Sequence, residues 1–199
     1  MATRITAAAA IAAIALSGVT SALAATNLLK NGGFEKPVVP DGGYQLYSTG
    51  QTFAHWTVVG DPGNVAPISG DFTQNGFTFP ARAGAQWVDL TGASNTATGV
   101  AQTVSTTPGA QYTLIFSVGN VYDPGGIFGT TSTVNAFVDG NLVKSATNSL
   151  GQGSSSQVWK RFSVTFTAQT ASTTISLING DPSNDTENGL DAVKLLAAG

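Results

Sequence analysis

Residues 112–118 read Tyr-Thr-Leu-Ile-Phe-Ser-Val, and residues 161–167 read Arg-Phe-Ser-Val-Thr-Phe-Thr. In both stretches every second residue is large and apolar. Successive side chains of a β-strand point to opposite faces, so this period of two predicts strands with one buried and one solvated face. Two sheets of such strands, packed face to face, form a β-sandwich.

Similar short runs continue along the chain, separated by clusters of Gly, Asn, Asp, Ser and Pro that favour turns. We expect ten strands, at 27–34, 55–59, 86–91, 100–105, 112–118, 133–138, 142–147, 160–167, 173–178 and 190–195. Asp139-Gly140, between two of these runs, is a strong hairpin signal. The predicted fold class is all-β: a jelly-roll β-sandwich of about ten strands in two antiparallel sheets.

The first 24 residues have the parts of a secretory signal peptide. Arg4 precedes an Ala-rich apolar run, and Ala22-Leu23-Ala24 forms a cleavage site. The apolar run is shorter than the roughly 20 residues that a membrane span needs, and no transmembrane segment is expected elsewhere. We therefore predict cleavage after Ala24, a single domain over residues 25–199, and a secreted protein, extracellular or periplasmic.

Composition narrows the function classes. The chain has no cysteine, which excludes disulfides and thiolate metal sites, and charged residues make up 10% of it, below the usual quarter. The formal net charge is -3 and no Lys/Arg cluster is present, so nucleic acid is not an expected partner. A surface rich in amide and hydroxyl groups suits a polysaccharide or other glycan.

Few residues could support catalysis. His55 is the sole histidine, and it precedes a tryptophan at the start of an expected strand, where a structural role is the simpler interpretation. A glycosidase needs two carboxylates across a cleft, but most of the eleven acidic residues lie in turns, where they cap the backbone. We expect no enzymatic activity.

The ordered motifs of the chain resemble a known group of proteins. Residues 27–35 (Asn-Leu-Leu-Lys-Asn-Gly-Gly-Phe-Glu) resemble the opening of carbohydrate-binding modules of the family 4/9 type and of the domain-of-unknown-function 642 and choice-of-anchor proteins. Further blocks follow in the same order, at 55–58, 87–92, 100–104, 106–116, 162–168 and 189–193. The resemblance implies a galactose-binding-like jelly roll, an extracellular setting and polysaccharide binding. The chain departs from it in lacking cysteines and in having His55 where a glycine commonly precedes the tryptophan.

The resemblance also implies that the first and last strands run side by side, which would bring Glu35 and Asp191 together. Two carboxylates with backbone carbonyls would make an oxygen cage that selects calcium. One structural calcium ion is therefore the predicted cofactor. The alternative is that Glu35 only ends a strand and that Asp191 accepts hydrogen bonds from nearby backbone amides.

Aromatic residues with a free ring face are the candidates for sugar binding. Trp87 alternates with the apolar Val88 and Leu90 and shares a face with Asp89, which makes it the best-placed platform. The alternative is that Trp87 packs under the irregular segment 35–54. Tyr47 and Tyr122 lie in the long irregular segments 35–54 and 121–132, and Asn120 could supply an amide. The predicted ligand-binding residues are Trp87, Asp89, Asn120, Tyr122 and Tyr47.

The predicted function is a secreted, non-catalytic carbohydrate-binding module for cell-wall or extracellular polysaccharide. The alternative is a structural or adhesive protein of the extracellular matrix or cell surface that binds other proteins. A cell-wall enzyme or a surface protein is a further expected partner.

Overall fold

The computed structural model describes residues 26–183 and 187–198, and the predicted signal peptide lies outside this part of the chain. The described residues form fourteen strands in two six-stranded antiparallel sheets and one two-stranded sheet. The strands are β1 (Tyr47–Ser48), β2 (Thr52–Phe53), β3 (Trp56–Gly60), β4 (Asn64–Ser69), β5 (Thr73–Gln74), β6 (Phe77–Thr78), β7 (Gln86–Asp89), β8 (Thr98–Ser105), β9 (Gln111–Asn120), β10 (Ser132–Val138), β11 (Asn141–Asn148), β12 (Val158–Thr167), β13 (Ser172–Asn179) and β14 (Gly189–Ala197).

The two large sheets pack face to face as a jelly-roll sandwich, which confirms the predicted fold class. Sheet I has the order β1-β4-β7-β14-β9-β12, and sheet II has the order β11-β10-β13-β8-β3-β2. Within the described ranges, no helix is long and apolar enough to cross a membrane.

The core between the sheets is built from the alternating residues of the quoted stretches. Leu114, Phe116 and Val118 of β9 are fully buried. On the neighbouring β12, Phe162 pairs with Phe116, and their rings stack with centroids 6.1 Å apart. Burial of each such side chain contributes about 1.5–3 kcal/mol, so this period of two is the main source of stability.

Four of the fourteen strands are only two residues long, and ten are longer. Nine of the ten longer strands correspond to predicted ones, with ends that differ by a few residues. The prediction missed β4, which contains Pro67. The main chain of Pro67 faces the irregular segment around Gln45, whose N–H donates to the Pro67 carbonyl. Proline is tolerated there because the regular ladder does not need a hydrogen bond from its missing N–H.

The prediction of a strand over 27–34 is wrong. Asn31 and Phe34 have positive φ angles of 52° and 55°, which interrupt extended backbone. The segment nevertheless runs beside β14: Leu28 N donates to Leu195 O at 2.9 Å and Val193 N donates to Gly32 O at 2.7 Å. The two ends of the domain are therefore neighbours, as the family resemblance implied.

A second, smaller apolar cluster lies on the outer face of sheet I. The segment 70–81, which contains the β5–β6 hairpin, and the segment 121–131 fold back over this face. Phe79 and Phe128 from these segments pack against Trp87 and Ile68 of the sheet. We call this group the outer cluster, and it consists of Ala66, Ile68, Phe79, Trp87, Val121 and Phe128.

The turn between β2 and β3 is strained. Phe53 pairs with Trp56, so Ala54 and His55 alone make the connection, with φ angles of 39° and 82°. A two-residue hairpin of this kind requires positive φ at both central residues, and glycine adopts it without steric cost. Glycine at position 55 would therefore fit this turn better than histidine.

Replacing His55 with glycine is expected to raise the free energy of unfolding by about 1 kcal/mol, because glycine removes the left-handed strain. Urea denaturation measures the change. Asn75→Gly is the matched control: Asn75 has a φ of 50° in the β5–β6 turn, but asparagine tolerates this region, so its gain should be smaller. An unchanged or lower stability in His55→Gly would contradict the strain argument.

Candidate functional site

Trp87 lies on the outer face of sheet I, as its alternation with Val88 and Leu90 predicts, but it is fully buried. Its ring stacks on Phe79 at 6.1 Å and meets Trp159 edge-on at 6.1 Å. Its Nε1 donates to the Phe79 carbonyl at 2.9 Å. The prediction that Trp87 offers an open ring face is therefore wrong, because the segment 70–81 covers the ring. The alternative prediction placed Trp87 under the segment 35–54, but the ring contacts described here come from Phe79 and Trp159.

Asn120 is also fully buried, so its side chain has a structural role and does not contact a ligand at the surface. Its Nδ2 donates to Val121 O at 2.9 Å and to Ser132 Oγ at 3.1 Å, and its Oδ1 accepts from Gly151 N at 2.9 Å. These three bonds satisfy most of the amide and hold two turns at the end of β9. The prediction of Asn120 as a ligand-binding amide is corrected accordingly.

The two predicted tyrosines lie apart from Trp87. Tyr47 is half-buried and stacks on Phe53 with ring centroids 4.8 Å apart, and burial raises the pKa of its hydroxyl. Tyr122 is half-buried in the segment 121–131. Neither tyrosine lines the cavity that contains Asp89, described next.

A cavity of about 330 Å³ opens on the outer face of sheet I beside the outer cluster. Ala66 and Ile68 of β4 provide its floor, and several irregular segments around the sheet provide its walls. We call it the Tyr44 cavity; its lining includes Tyr44, Leu46, Phe72, Gln74, Asp89, Asn95, Ile127 and Glu187. Tyr44 and Ile127 come from the two long irregular segments that the sequence marked, so those segments do converge on one site.

Exposed apolar surface is concentrated at this cavity. Six large hydrophobic residues are exposed in the described parts of the chain, and three of them, Tyr44 (53%), Leu46 (42%) and Ile127 (45%), line it. The Tyr44 ring is held edge-on against Phe72, with centroids 5.9 Å apart. Clustered exposed hydrophobics around a concave surface are typical of a ligand site.

Buried polar groups lie among these apolar residues. Asp89 is 1% exposed and Glu187 is 7% exposed. Asp89 Oδ1 accepts from Thr91 N at 2.8 Å and from Thr91 Oγ1 at 2.7 Å, which fixes the carboxylate. The Oδ1 atom of Asn95 is buried and has no hydrogen-bond partner among residues 26–183 and 187–198. The cavity therefore offers acceptors to a ligand that donates hydrogen bonds.

Sequence reasoning placed only Asp89 in this cavity. It missed Glu187 because this residue lies in an irregular stretch before β14, where no periodic pattern assigns a face. Tyr44 is not among the predicted ligand-binding residues, although it lies in the irregular segment 35–54, and it is 53% exposed.

Glu35 and Asp191 lie next to each other beneath the segment 82–86. A Cβ atom placed on Gly33 would be 3.8 Å from Glu35 Cγ and 3.9 Å from Asp191 Oδ1. Asp191 Oδ2 accepts from Arg82 N at 2.9 Å and from Ala83 N at 3.0 Å. Both carboxylates thus bind backbone N–H groups, as the alternative interpretation of the sequence described for Asp191.

The Glu35 carboxylate caps the same segment from the other end. Its oxygens accept from Ala85 N at 3.0 and 3.1 Å and from Gln86 N at 3.2 Å. Gly84 has a φ of 76°, and a Cβ atom there would lie 2.1 Å from Glu35 Oε1, so a larger residue would be strained and would displace the carboxylate. The pairing between β14 and β7 covers Asp89 and Val88 and does not reach Gln86. The Glu35 carboxylate accepts the Gln86 N–H in place of a strand partner.

Burial raises the pKa of Asp191 from 3.8 to about 7. Hydrogen bonds from the backbone N–H groups of Ala192, Ala83 and Arg82 oppose this shift, and the negative charge of Glu35 adds to it. The charged form of Asp191 is thus disfavoured by its surroundings despite three donors.

The residues around this pair fit a calcium ion only in part. Two neighbouring carboxylates favour a cation, but five backbone N–H groups already donate to their oxygens. Within the described ranges, no group of three or more His, Cys, Asp or Glu side chains could hold a metal. Calcium at Glu35 and Asp191 stays a prediction.

The strand order, the shared core and the adjacent chain ends define a jelly-roll β-sandwich. The chain belongs to the family described as protein of unknown function (DUF642), whose model matches residues 27–195. A search of curated proteins finds no match to the chain.

Solved structures with the same fold include enzymes. A Stig cyclase from Fischerella sp. TAU, in complex with a pyrrolidinylidene indole, has a TM-score of 0.61 and 20% identity and covers 88% of this chain and 98% of that chain. An apo cyclase from Fischerella sp. has a TM-score of 0.60 and 20% identity and covers 86% and 95%. A family 35 carbohydrate-binding module from Clostridium thermocellum has a TM-score of 0.46 and 17% identity and covers 78% and 99%. At this level of identity the cyclase likeness shows the fold alone.

In calcium-free buffer, the free energy of unfolding is expected to fall as the pH rises from about 4 to 7. Folded Asp191 keeps its proton up to about pH 7, whereas the unfolded chain releases it near 3.8. The folded state then binds more protons, so this residue contributes stability at low pH that is lost at up to about 1.4 kcal/mol per pH unit.

The variant Asp191→Asn isolates this contribution. It should be less stable at pH 4, since an amide cannot accept all three N–H bonds, and its stability should vary less between pH 4 and 7. Urea denaturation across this range measures both profiles. Parallel profiles for the two proteins would contradict the assignment.

Calcium bound by the pair is expected to raise the melting midpoint, because an ion that binds only the folded state stabilises it. Thermal melting with calcium and with chelator tests this. The rise should be absent in Glu35→Gln and retained in Asp61→Asn, which removes an exposed acid elsewhere. Equal midpoints in calcium and chelator for the wild-type protein would remove the calcium prediction.

Proposed function

We propose that this protein is a secreted, non-catalytic module that binds a saccharide in the Tyr44 cavity. One observation carries the proposal: three of the six exposed large hydrophobic residues of the described chain line this cavity together with the buried acidic residues Asp89 and Glu187. The cavity beside His55 and Gln102 and the cavity beside Arg161 and Lys194 contain neither a carboxylate nor one of these exposed hydrophobic residues in their linings.

The lining matches the chemistry of a pyranose ring. One face of such a ring presents C–H groups, which pack on the exposed ring of Tyr44 and on the aliphatic chains of Leu46 and Ile127. The rim of the sugar carries hydroxyl donors, and the carboxylates of Asp89 and Glu187 are acceptors. Because Asp89 is fixed by Thr91, its acceptor positions are set before a ligand arrives.

The size of the cavity favours a short part of a glycan. Its volume of about 330 Å³ lies at the small end of the roughly 300–1,000 Å³ typical of ligand pockets. Its position between surface segments, not in the sandwich core, lets a longer chain extend into solvent. The proposal is therefore that an end or a single unit of a polysaccharide occupies it.

The setting that we propose is outside the cytoplasm. The motif Ala22-Leu23-Ala24 after an apolar run supports export, and a surface poor in charge supports contact with a glycan. Polysaccharide of a cell wall or extracellular matrix is the proposed partner, and a wall-associated enzyme or surface protein is a further one.

A specific feature favours the adhesive alternative as a second candidate. Strand β12 is ten residues long and lies at the edge of sheet I, where β9 is its one neighbouring strand in the described part of the chain. An edge strand offers unpaired main-chain groups to an extended segment of another protein. Binding to protein with no binding to glycan would favour this function.

A glycan array with residues 25–199 is expected to give binding to a defined saccharide. Tyr44→Ala and Leu46→Ala should weaken binding about tenfold or more, as the loss of a stacking or apolar contact of about 1.4 kcal/mol would do. Leu142→Ala is the matched control, since Leu142 is a leucine of similar exposure on the other sheet. Equal losses in the Leu46 and Leu142 variants, or no glycan bound by any of the proteins, would refute the proposal.

The same saccharides are then incubated with the protein and analysed for cleavage. Paired carboxylates are also the groups of a glycosidase, so this arm tests the non-catalytic part of the proposal. We expect the saccharide to remain intact; products that disappear in Asp89→Asn would identify an enzyme.

A further inference from the structure

A second concave site on the outer face of sheet I has a different chemistry. It is a cavity of about 230 Å³ that lies across β14, β9 and β12, whereas the Tyr44 cavity lies across β4 and β7. Ile115 and Ser117 of β9 form its floor. Three cationic side chains, Arg82, Arg161 and Lys194, line its rim, and we call it the Arg161 cavity.

The strand register places two of these cations on either side of the floor. Arg161 pairs with Ser117 from β12, and Lys194 pairs with Ile115 from β14. Directly paired residues point to the same face, so both side chains lie on the outer face together with the floor. The two flanking strands are about 10 Å apart, a distance that long cationic side chains span from both sides.

The third cation is positioned by the buried carboxylate described above. Asp191 Oδ2 accepts from the backbone N–H groups of Arg82 and Ala83, and both residues line the Arg161 cavity. The loop that carries Arg82 is therefore anchored from below.

This concentration of positive charge is unusual for the chain. The formal net charge is -3, and of its eight lysines and arginines Arg4 precedes the described residues. Three of the remaining seven thus line one small cavity. Across residues 26–183 and 187–198, none of the three forms an ion pair within 4.0 Å. Like charges held together repel, and an anion between them relieves that repulsion.

We propose that the Arg161 cavity is an oxyanion site that binds the carboxylate of a uronic acid unit in the saccharide. Two guanidinium groups present forked N–H donors that match a carboxylate, and the ammonium of Lys194 adds a third positive charge. The identity of the ligand as a saccharide rests on the proposed function, whereas the preference for an oxyanion rests on this cavity alone. A sulfate ester has the same charge and is the other source of this chemistry.

The test compares four probes by isothermal titration calorimetry: oligogalacturonate, the neutral galactose oligomer of the same length, a sulfated galactose oligomer and inorganic sulfate. Oligogalacturonate is expected to bind at least about tenfold more tightly than the neutral oligomer. This advantage should shrink with added salt, because exposed charges are screened. Equal affinity for the charged and neutral oligomers would overturn the proposal, and tighter binding of the sulfated oligomer would reassign the oxyanion to a sulfate ester.

The variants Arg161→Gln and Lys194→Gln locate the site. Each should reduce the affinity for oligogalacturonate towards that for the neutral oligomer. Lys144→Gln, on β11 of the opposite sheet, removes the same charge and should leave both affinities unchanged. Equal melting midpoints would verify that the three variants fold. A loss in the Lys144 variant as large as in the Arg161 variant would show a general charge effect and refute the site.

Tyr44→Ala separates this proposal from the proposed function. If the Tyr44 cavity does not bind sugar, Tyr44→Ala leaves every affinity unchanged while Arg161→Gln still lowers that for oligogalacturonate. If the oxyanion site is wrong, Tyr44→Ala weakens both oligomers and Arg161→Gln weakens neither.

Discussion

The outer face of sheet I depends on hydrogen bonds from backbone N–H groups to two carboxylates. β7 and β14 are neighbours in sheet I but share only two paired positions, so the sheet opens beyond Leu190. Glu35 and Asp191 fill that opening and bind the N–H groups that the missing ladder leaves without partners. Hydrogen bonds to a charged acceptor contribute about 1.5–3 kcal/mol each, and here they offset only part of the cost of burying Asp191, whose pKa stays raised. Because Glu35 and Asp191 come from opposite ends of the domain, the hydrogen bonds that hold the 82–86 segment form only when the two chain ends meet.

The outer face of sheet I differs from that of an ordinary sandwich because surface segments cover its centre. The segments 70–81 and 121–131 bury Trp87 and leave a cavity on each side, one apolar with acceptors and one cationic. The sheet provides the floor of both cavities, whereas irregular segments provide most of the side chains that distinguish them. Rigid strands carrying variable loops are a common arrangement for binding proteins.

The period of two predicted nine of the ten longer strands, because alternation directly reflects burial on one face. It also placed Trp87 and Asp89 on the correct face. It could not show that another part of the chain covers that face, because the contact of Trp87 with Phe79 and Trp159 is set by tertiary packing. Glu187 was unpredictable for the same reason, as were the left-handed residues Asn31 and Phe34 that interrupt the first expected strand. The family resemblance supplied what periodicity could not, namely that Glu35 and Asp191 would be neighbours.

The two apolar clusters lie on opposite sides of sheet I, and this division has a consequence for the way the molecule opens. The β5–β6 hairpin has only two ladder pairs, so the outer cluster depends on side-chain packing more than on main-chain bonds. Such a layer can detach while the sandwich stays closed, with an opening free energy below that of global unfolding. Amide hydrogens of the segments 70–81 and 121–131 would then exchange as one cooperative unit ahead of β9. Any molecule held against that layer would slow their exchange selectively, so occupancy of the face could be followed without knowing the occupant.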